Sequence, residues 1–137
     1  MPNHITMCRR ALRIAENRIN NFFLQHGHEP RHIWVLTCIR DLHISQGGCA
    51  ERLGINKNVM VDLVDEMEVR GLLHRTRNPD NRKEVLLRVT KKGQNLLEWS
   101  DVVVETALLQ AFSPLSRDQI DQLHDFAKQI VESATPR

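Results

Sequence analysis

Residues 45–73 read Ser45-Gln-Gly-Gly-Cys-Ala50-Glu-Arg-Leu-Gly-Ile-Asn56-Lys-Asn-Val-Met-Val-Asp-Leu-Val-Asp-Glu-Met-Glu-Val-Arg-Gly71-Leu-Leu73, and they hold two short helices with the turn between them. Ser45 is placed to cap the first, because its hydroxyl accepts a first-turn amide that the helix leaves unpaired. That helix bears Cys49, Ala50 and Leu53. Gly54 supplies the tight turn, and Asn56 caps a second helix. Val59, Met60, Leu63, Val64 and Met67 form its apolar face at helical spacing. Gly71 closes it. Two helices of this length joined by a glycine-containing turn of about three or four residues are a helix-turn-helix.

Downstream of Leu72 the period changes. Leu73–Arg77 and Val85–Val89 are short strand-like runs, the second alternating Val85, Leu87 and Val89. Between them Asn78-Pro-Asp-Asn81 is a cluster of turn formers, so the segment reads as a hairpin. It carries Arg75, Arg77, Arg82, Lys83 and Arg88. Thr90 then caps a long helix with Leu96, Leu97, Val103, Val104, Ala107, Leu108 and Ala111 on its inner face, broken at Pro114. Ser116-Arg-Asp-Gln119 is a capping box for a last helix striped by Ile120, Leu123, Ala127, Ile130, Val131 and Ala134.

Upstream, Cys8, Leu12, Ala15, Ile19, Phe22, Phe23 and His26 give a first long helix one apolar face, which Gly27 ends. Pro30 suits the first turn of the next helix, which runs to about Leu42 and presents Ile33, Trp34, Thr37, Cys38, Ile39 and Leu42. The first and last helices each have a wide apolar face that the small middle segment cannot cover. They either pack on each other within the chain or form a dimer interface, and the dimer is the expectation.

The chain has 137 residues, enough for one domain. Its 41% hydrophobic and 26% charged residues suit a soluble globular protein. No run approaches the roughly 20 apolar residues of a membrane helix. The N-terminus has arginines and no apolar signal core, so the cytoplasm is the expected location. Three widely spaced cysteines make no disulfide framework and are expected as free thiols. The net charge of +2 conceals an uneven distribution: +6 lies within residues 70–92, flanked by −4 on either side. Such a concentration suits a polyanion, though a solvated hairpin would carry it too.

From about Pro30 to Phe112 the chain resembles the MarR (multiple antibiotic resistance regulator) family. The match runs through Ala50-Glu-Arg-Leu-Gly-Ile55, Asn56-Lys-Asn58, Glu68-Val-Arg-Gly-Leu-Leu73, Arg77-Asn-Pro-Asp80 and Val89-Thr-Lys-Lys-Gly93. The fragments are individually weak, and their order and spacing carry the resemblance. It implies a mainly α fold, a winged helix-turn-helix with a small β-hairpin wing, and a short strand between the second and third helices. Residues 30–92 would be the DNA-binding core of a single domain spanning 1–137, with 1–28 and 93–137 as dimerisation helices. It also implies a homodimer on a pseudo-palindromic duplex operator.

A recognition helix in the major groove reads base edges with its N-terminal residues. Here those are Asn56, Lys57, Asn58 and Val61. Asparagine suits adenine, lysine guanine and valine a thymine methyl. Asn56 also has the plainer role of N-cap. Arg75, Arg77, Arg82 and Lys83 are expected on phosphate or in the minor groove. The sequence departs from the family at Asp62, which accepts from a cytosine amino group, pairs with a neighbouring base or faces away. It departs again at the wing tip, where the family's Asp-x-Arg falls on Asn81-Arg82-Lys83 in the kept register. Sliding one residue to Asp80-Asn-Arg82 would turn Val85, Leu87 and Val89 to the wrong face.

No catalytic set emerges, so an enzyme is not expected, and neither is a cofactor. His26, His28 and His32 cluster in sequence without metal-ligand spacing. The resemblance implies a small effector, aromatic or anionic, in a cleft between the DNA-binding lobe and the dimer helices. Phe23, Trp34, Cys38, Trp99 and Val103 are its expected lining. The expected function is a sequence-specific repressor released by that ligand. Two alternatives stand beside it: a winged-helix module without effector, and a cysteine-based redox sensor. The family's peroxide-sensing branch supports its cysteine with tyrosines, and this chain has none.

Overall fold

The computed structural model describes residues 3–134, so the outermost ends of the expected dimerisation segments lie outside the described residues. The elements are α1 (His4–Gln25), α2 (Pro30–Leu42), α3 (Gln46–Leu53), α4 (Lys57–Val69), β1 (Leu73–Asn78), β2 (Asn81–Val89), α5 (Lys91–Ala111) and α6 (Arg117–Ala134). Each expected cap is in place. Ser45 Oγ accepts from Gly48 N–H at 3.2 Å, Asn56 Oδ1 from Asn58 N–H at 2.8 Å and Thr90 Oγ1 from Gly93 N–H at 3.0 Å. The Ser116–Gln119 box closes in both directions, at 3.2 and 2.9 Å.

The winged helix closes over one apolar cluster in which Leu36, Cys49, Met60, Val64, Met67, Leu73 and Leu97 are fully buried or nearly so. A second, smaller cluster of Ile19, Phe23, Ile33, Val103 and Ala107 joins α1, α2 and α5. Helix α2 therefore lies between two cores. Its burial exceeds the single stripe read from the sequence: Val35 and Leu36 are fully buried, while Leu42 is exposed.

Two further differences from expectation have local causes. The short strand before α3 does not form, and β1 and β2 make the only sheet among the described residues. His43 caps α2 in the left-handed region (φ 51°), and Ser45 turns at once to cap α3. That leaves Ile44 alone between two caps, packed on the core, with no length for pairing. The hairpin keeps its register, Leu73 opposite Val89, Arg75 opposite Leu87 and Arg77 opposite Val85. Pairing then jumps to Asn78 opposite Asn81, so Arg82, Lys83 and Glu84 form a bulge. Asn78 Nδ2 donates to Glu84 Oε2 at 2.9 Å, and Lys83 N–H donates to Asn81 Oδ1 at 3.2 Å. The wing's extra residues are thus absorbed at its tip, and the buried face of β2 is undisturbed.

Candidate nucleic-acid interface and neighbouring cleft

Helix α4 turns Met60, Leu63, Val64 and Met67 inward, which leaves Lys57, Asn58 and Val61 exposed along its N-terminal outer face. Lys57 and Val61 line one concave surface of about 480 Å³ with Gln46 of α3 and with Asn81 and Lys83 of the wing. Lys83 reaches this surface from within the bulge. Asn56 is occupied through its carbonyl oxygen as the cap, and Asn58 lies just outside the concavity. Gln46 was not legible as a site residue: it follows a capping serine like any first-turn residue. Its side-chain oxygen is nevertheless buried without a hydrogen-bond partner among the described residues.

The wing bases differ in how far their own fold commits them. Arg75 pairs with Asp65 and, at 3.3 Å, with Glu68 of α4. Its backbone N–H donates to Glu68 Oε2 at 3.0 Å, and that bond chiefly holds the Glu68 carboxyl below its usual range. Arg75 therefore ties the wing to α4. Arg77 donates to the Arg82 carbonyl at 3.2 Å. Arg82 and Lys83 are exposed, and neither side chain has an ion pair among the described residues.

The five residues expected around an effector do not share one cavity. Phe23, Trp34, Trp99 and Val103 meet in the smaller core, with Phe23 6.0 Å from Trp34 and 5.8 Å from Trp99 between ring centroids. Cys38 belongs to the other cluster. Only Trp99 lines the cleft of about 420 Å³ that opens between the α1–α2 loop, the end of α4 and the head of α5. Sequence reading passed over its other walls, among them His28, His32, Arg70, Lys92 and Leu96. They come from three separate stretches of chain, so no local pattern marks them.

His32 is almost fully buried, and its Nε2 has no hydrogen-bond partner among the described residues. The nearest carboxylate oxygen, on Glu66, is 3.7 Å away. Burial lowers its pKa, against the partial opposing pull of Glu66. His28 and His26 both lie against the Trp99 ring, at 4.8 and 5.8 Å, and His26 also stacks on Phe22 at 4.2 Å; no group of three His, Cys, Asp or Glu side chains among the described residues could hold a metal ion. Cys8 is exposed. Cys38 and Cys49 are buried, and burial pushes both thiols up, that of Cys49 to about 12.

Residues 30–85 match the model of the MarR family. No curated protein matches the chain significantly. Among solved structures, a MarR-family transcriptional regulator from a Rhodococcus species is 26% identical, with 91% of this chain and 89% of that one covered and a TM-score of 0.76. CouR from Rhodococcus jostii, solved with p-coumaroyl-CoA bound, is 24% identical over 99% and 96% of the two chains, with a TM-score of 0.74. The apo form of MarR from E. coli is 17% identical over 95% and 97%, with a TM-score of 0.84. These structures share the winged-helix fold described above. No helix among the described residues is long and apolar enough to cross a membrane.

Proposed function

We propose, from the premise that residues 30–85 are a MarR-family domain, that the chain is a sequence-specific duplex-DNA-binding regulator. In this reading it works in the cytoplasm as a homodimer, and a small ligand releases it from a pseudo-palindromic operator. The observation that carries the DNA reading is the shared concavity of Lys57, Val61 and Lys83. It sets the N-terminal face of α4 and the bulged wing on one side of the molecule, with the charge to meet a phosphate backbone. Neither the family match nor the solved relatives point to an enzyme.

The effector half of the reading draws on the cleft at the end of α4. A ligand there touches the far end of the recognition helix and biases its angle if it prefers one arrangement of the lobe. CouR was solved with an acyl-CoA bound, which shows a protein of this fold accepting a ligand. The thiol route has less to work with, because two of the three cysteines are buried with raised pKa values.

Fluorescence anisotropy with a fragment of the chain's own promoter and a shuffled fragment tests the DNA reading. A preference of about 1,000-fold or more for the promoter is expected of a specific regulator. Equal affinity for both fragments would reduce the chain to a non-specific module.

A further inference from the structure

His32 stands in the first turn of α2 and faces the last turns of α4, the helix whose other end carries Lys57, Asn58 and Val61. The residue is 3% exposed, and its Nε2 has no hydrogen-bond partner among the described residues. Glu66 Oε2 stops at 3.7 Å, beyond hydrogen-bond reach, while Glu66 Oε1 is held by Arg70 Nη2 at 3.1 Å. We propose that His32 is a positioning residue for α4, acting through Glu66. Neutral, it leaves Glu66 on Arg70 and the helix as described; protonated, it draws Glu66 to itself and tilts the helix away from that arrangement. The inference rests on the regulator reading for its consequence on DNA.

Either neutral tautomer fits its surroundings poorly. With the hydrogen on Nε2, a buried donor reaches no acceptor. With the hydrogen on Nδ1, the Nε2 lone pair faces a carboxylate. A buried polar atom in either condition costs free energy comparable to a missing hydrogen bond. The imidazolium removes the mismatch, because its Nε2–H meets an anion. A charge-assisted bond of about 2.8 Å then requires the two groups to close by roughly 1 Å.

The charges around the ring decide which partner gives way. Glu66 and Arg70 face it from α4, and Glu29 from the turn before α2. The two carboxylates favour the imidazolium, and Arg70 opposes it. Lys92, at the head of α5, and His28 line the same space, and Lys92 Nζ donates to the Arg70 carbonyl at 2.7 Å. Glu29 is engaged by Arg31 at 3.4 Å, which leaves Glu66 as the partner. Its present pair with Arg70 is an exposed one between residues a helical turn apart, a kind that contributes little and is readily exchanged. Arg70 keeps its charge in solvent when Glu66 leaves. Burial holds the His32 pKa below the ordinary imidazole value, so the neutral form prevails near neutral pH and acid is the trigger.

A small movement at this end of α4 reaches the other. The helix has 13 residues and is a rod of about 20 Å. The chain beyond it is pinned, with the Arg70 carbonyl held by Lys92 and the Gly71 carbonyl by Thr90 Oγ1 at 2.6 Å. Pulling on Glu66 therefore tilts the helix about its pinned end. Hydrogen bonds from its first turn to base edges weaken steeply over displacements of this size.

Imidazole proton resonances of the full chain, titrated without DNA, test the contact. Glu66→Gln should lower the apparent pKa of His32, and Arg70→Gln should raise it. Anisotropy with the promoter fragment, between about pH 7.5 and pH 5.5 at constant ionic strength, tests the consequence around an imidazole pKa of about 6.5. Exposed histidines gain charge in every variant, so the readout is the ratio of unsubstituted to variant affinity at each pH. That ratio should fall about tenfold on acidification against His32→Gln, and alike against Glu66→Gln. A merely structural role for His32 would weaken binding at every pH and leave the ratio constant. Glu66 is half-exposed, so its variant carries the test even if His32→Gln fails to fold.

A constant ratio for Glu66→Gln, or a His32 titration that Glu66→Gln leaves unmoved, would overturn the proposal. In a protein that prefers its promoter, either result strikes this proposal alone. Absence of any promoter preference across the whole pH range would strike the regulator reading, and the consequence drawn here with it.

Discussion

A methyl group added at Gly93 would lie 2.2 Å from the Leu72 carbonyl oxygen and 2.9 Å from Val89 Cγ1. The first turn of α5 runs directly against the chain leaving α4, and Thr90 fixes the approach by donating to the Gly71 carbonyl at 2.6 Å. Gly93→Ala is therefore expected to cost about 1–3 kcal/mol as an overpacking substitution. Denaturant titration should show a lower midpoint at unchanged slope. A second expectation at this scale concerns pH. Burial is the main cause lowering the pKa of both His32 and His28, so the unfolded chain binds protons more readily than the folded one. Their contribution to stability is complete above an ordinary imidazole pKa of about 6.5, and disappears as pH falls through that value toward the folded pKa. Glu29, Glu66 and Arg70 face His32, and Glu68, the carboxylate held low, loses its contribution only in more acid solution. The denaturation midpoint should fall between pH 7 and pH 5, and a double His28→Gln, His32→Gln variant should flatten that fall. An unchanged pH slope in the double variant would assign the effect to other groups.

Among the elements, the helices and the hairpin were legible because each announces itself within a few residues. Ser45, Asn56, Thr90 and Ser116 are caps whose partners lie two or three residues away, and Gly54 and Gly71 mark helix ends with positive φ. What could not be read depends on groups brought together from a distance. The wing bulge needs Asn78 to reach Glu84, and the tie of Arg75 to α4 needs residues 65 and 68 to pack beside β1. Cys38, expected in the cleft from the resemblance, packs instead in the winged-helix core, because α2 serves two cores. The arrangement of the wing gives its bases different expected roles. Arg82→Ala with Lys83→Ala should weaken specific and random DNA alike, and flatten the log–log salt dependence by about 0.9 for each phosphate that is no longer neutralised. Lys57→Ala should instead cost about 1–3 kcal/mol at one base pair and spare random DNA. Equal weakening on both kinds of DNA would reassign Lys57 to the phosphate backbone.

For the whole molecule, α6 is the decisive element, because none of its described residues is buried in its own chain. Its apolar stripe was plain in the sequence, but a stripe alone does not say what covers it. Phe126 and Ile130 remain 61% and 68% exposed, and on α1 Ile5 and Leu12 are 67% and 65% exposed, so both terminal helices present apolar surface to solvent. Apolar surface concentrated in this way marks an interaction face. On the proposed DNA-binding function, a second copy is the partner to expect. Two recognition helices must stand about 34–36 Å apart to meet successive major grooves, and one chain supplies a single α4. The expected species at micromolar concentration is therefore a dimer through α1 and α6, with a thermal midpoint that rises with protein concentration. Phe126→Asp with Ile130→Asp places charges in that face without touching either core. Sedimentation should then report the monomer mass. Operator affinity should drop by roughly 100- to 10,000-fold, the avidity that joining two half-sites confers. A folded monomer that kept the full operator affinity would show that the pairing of recognition helices is not what α6 is for.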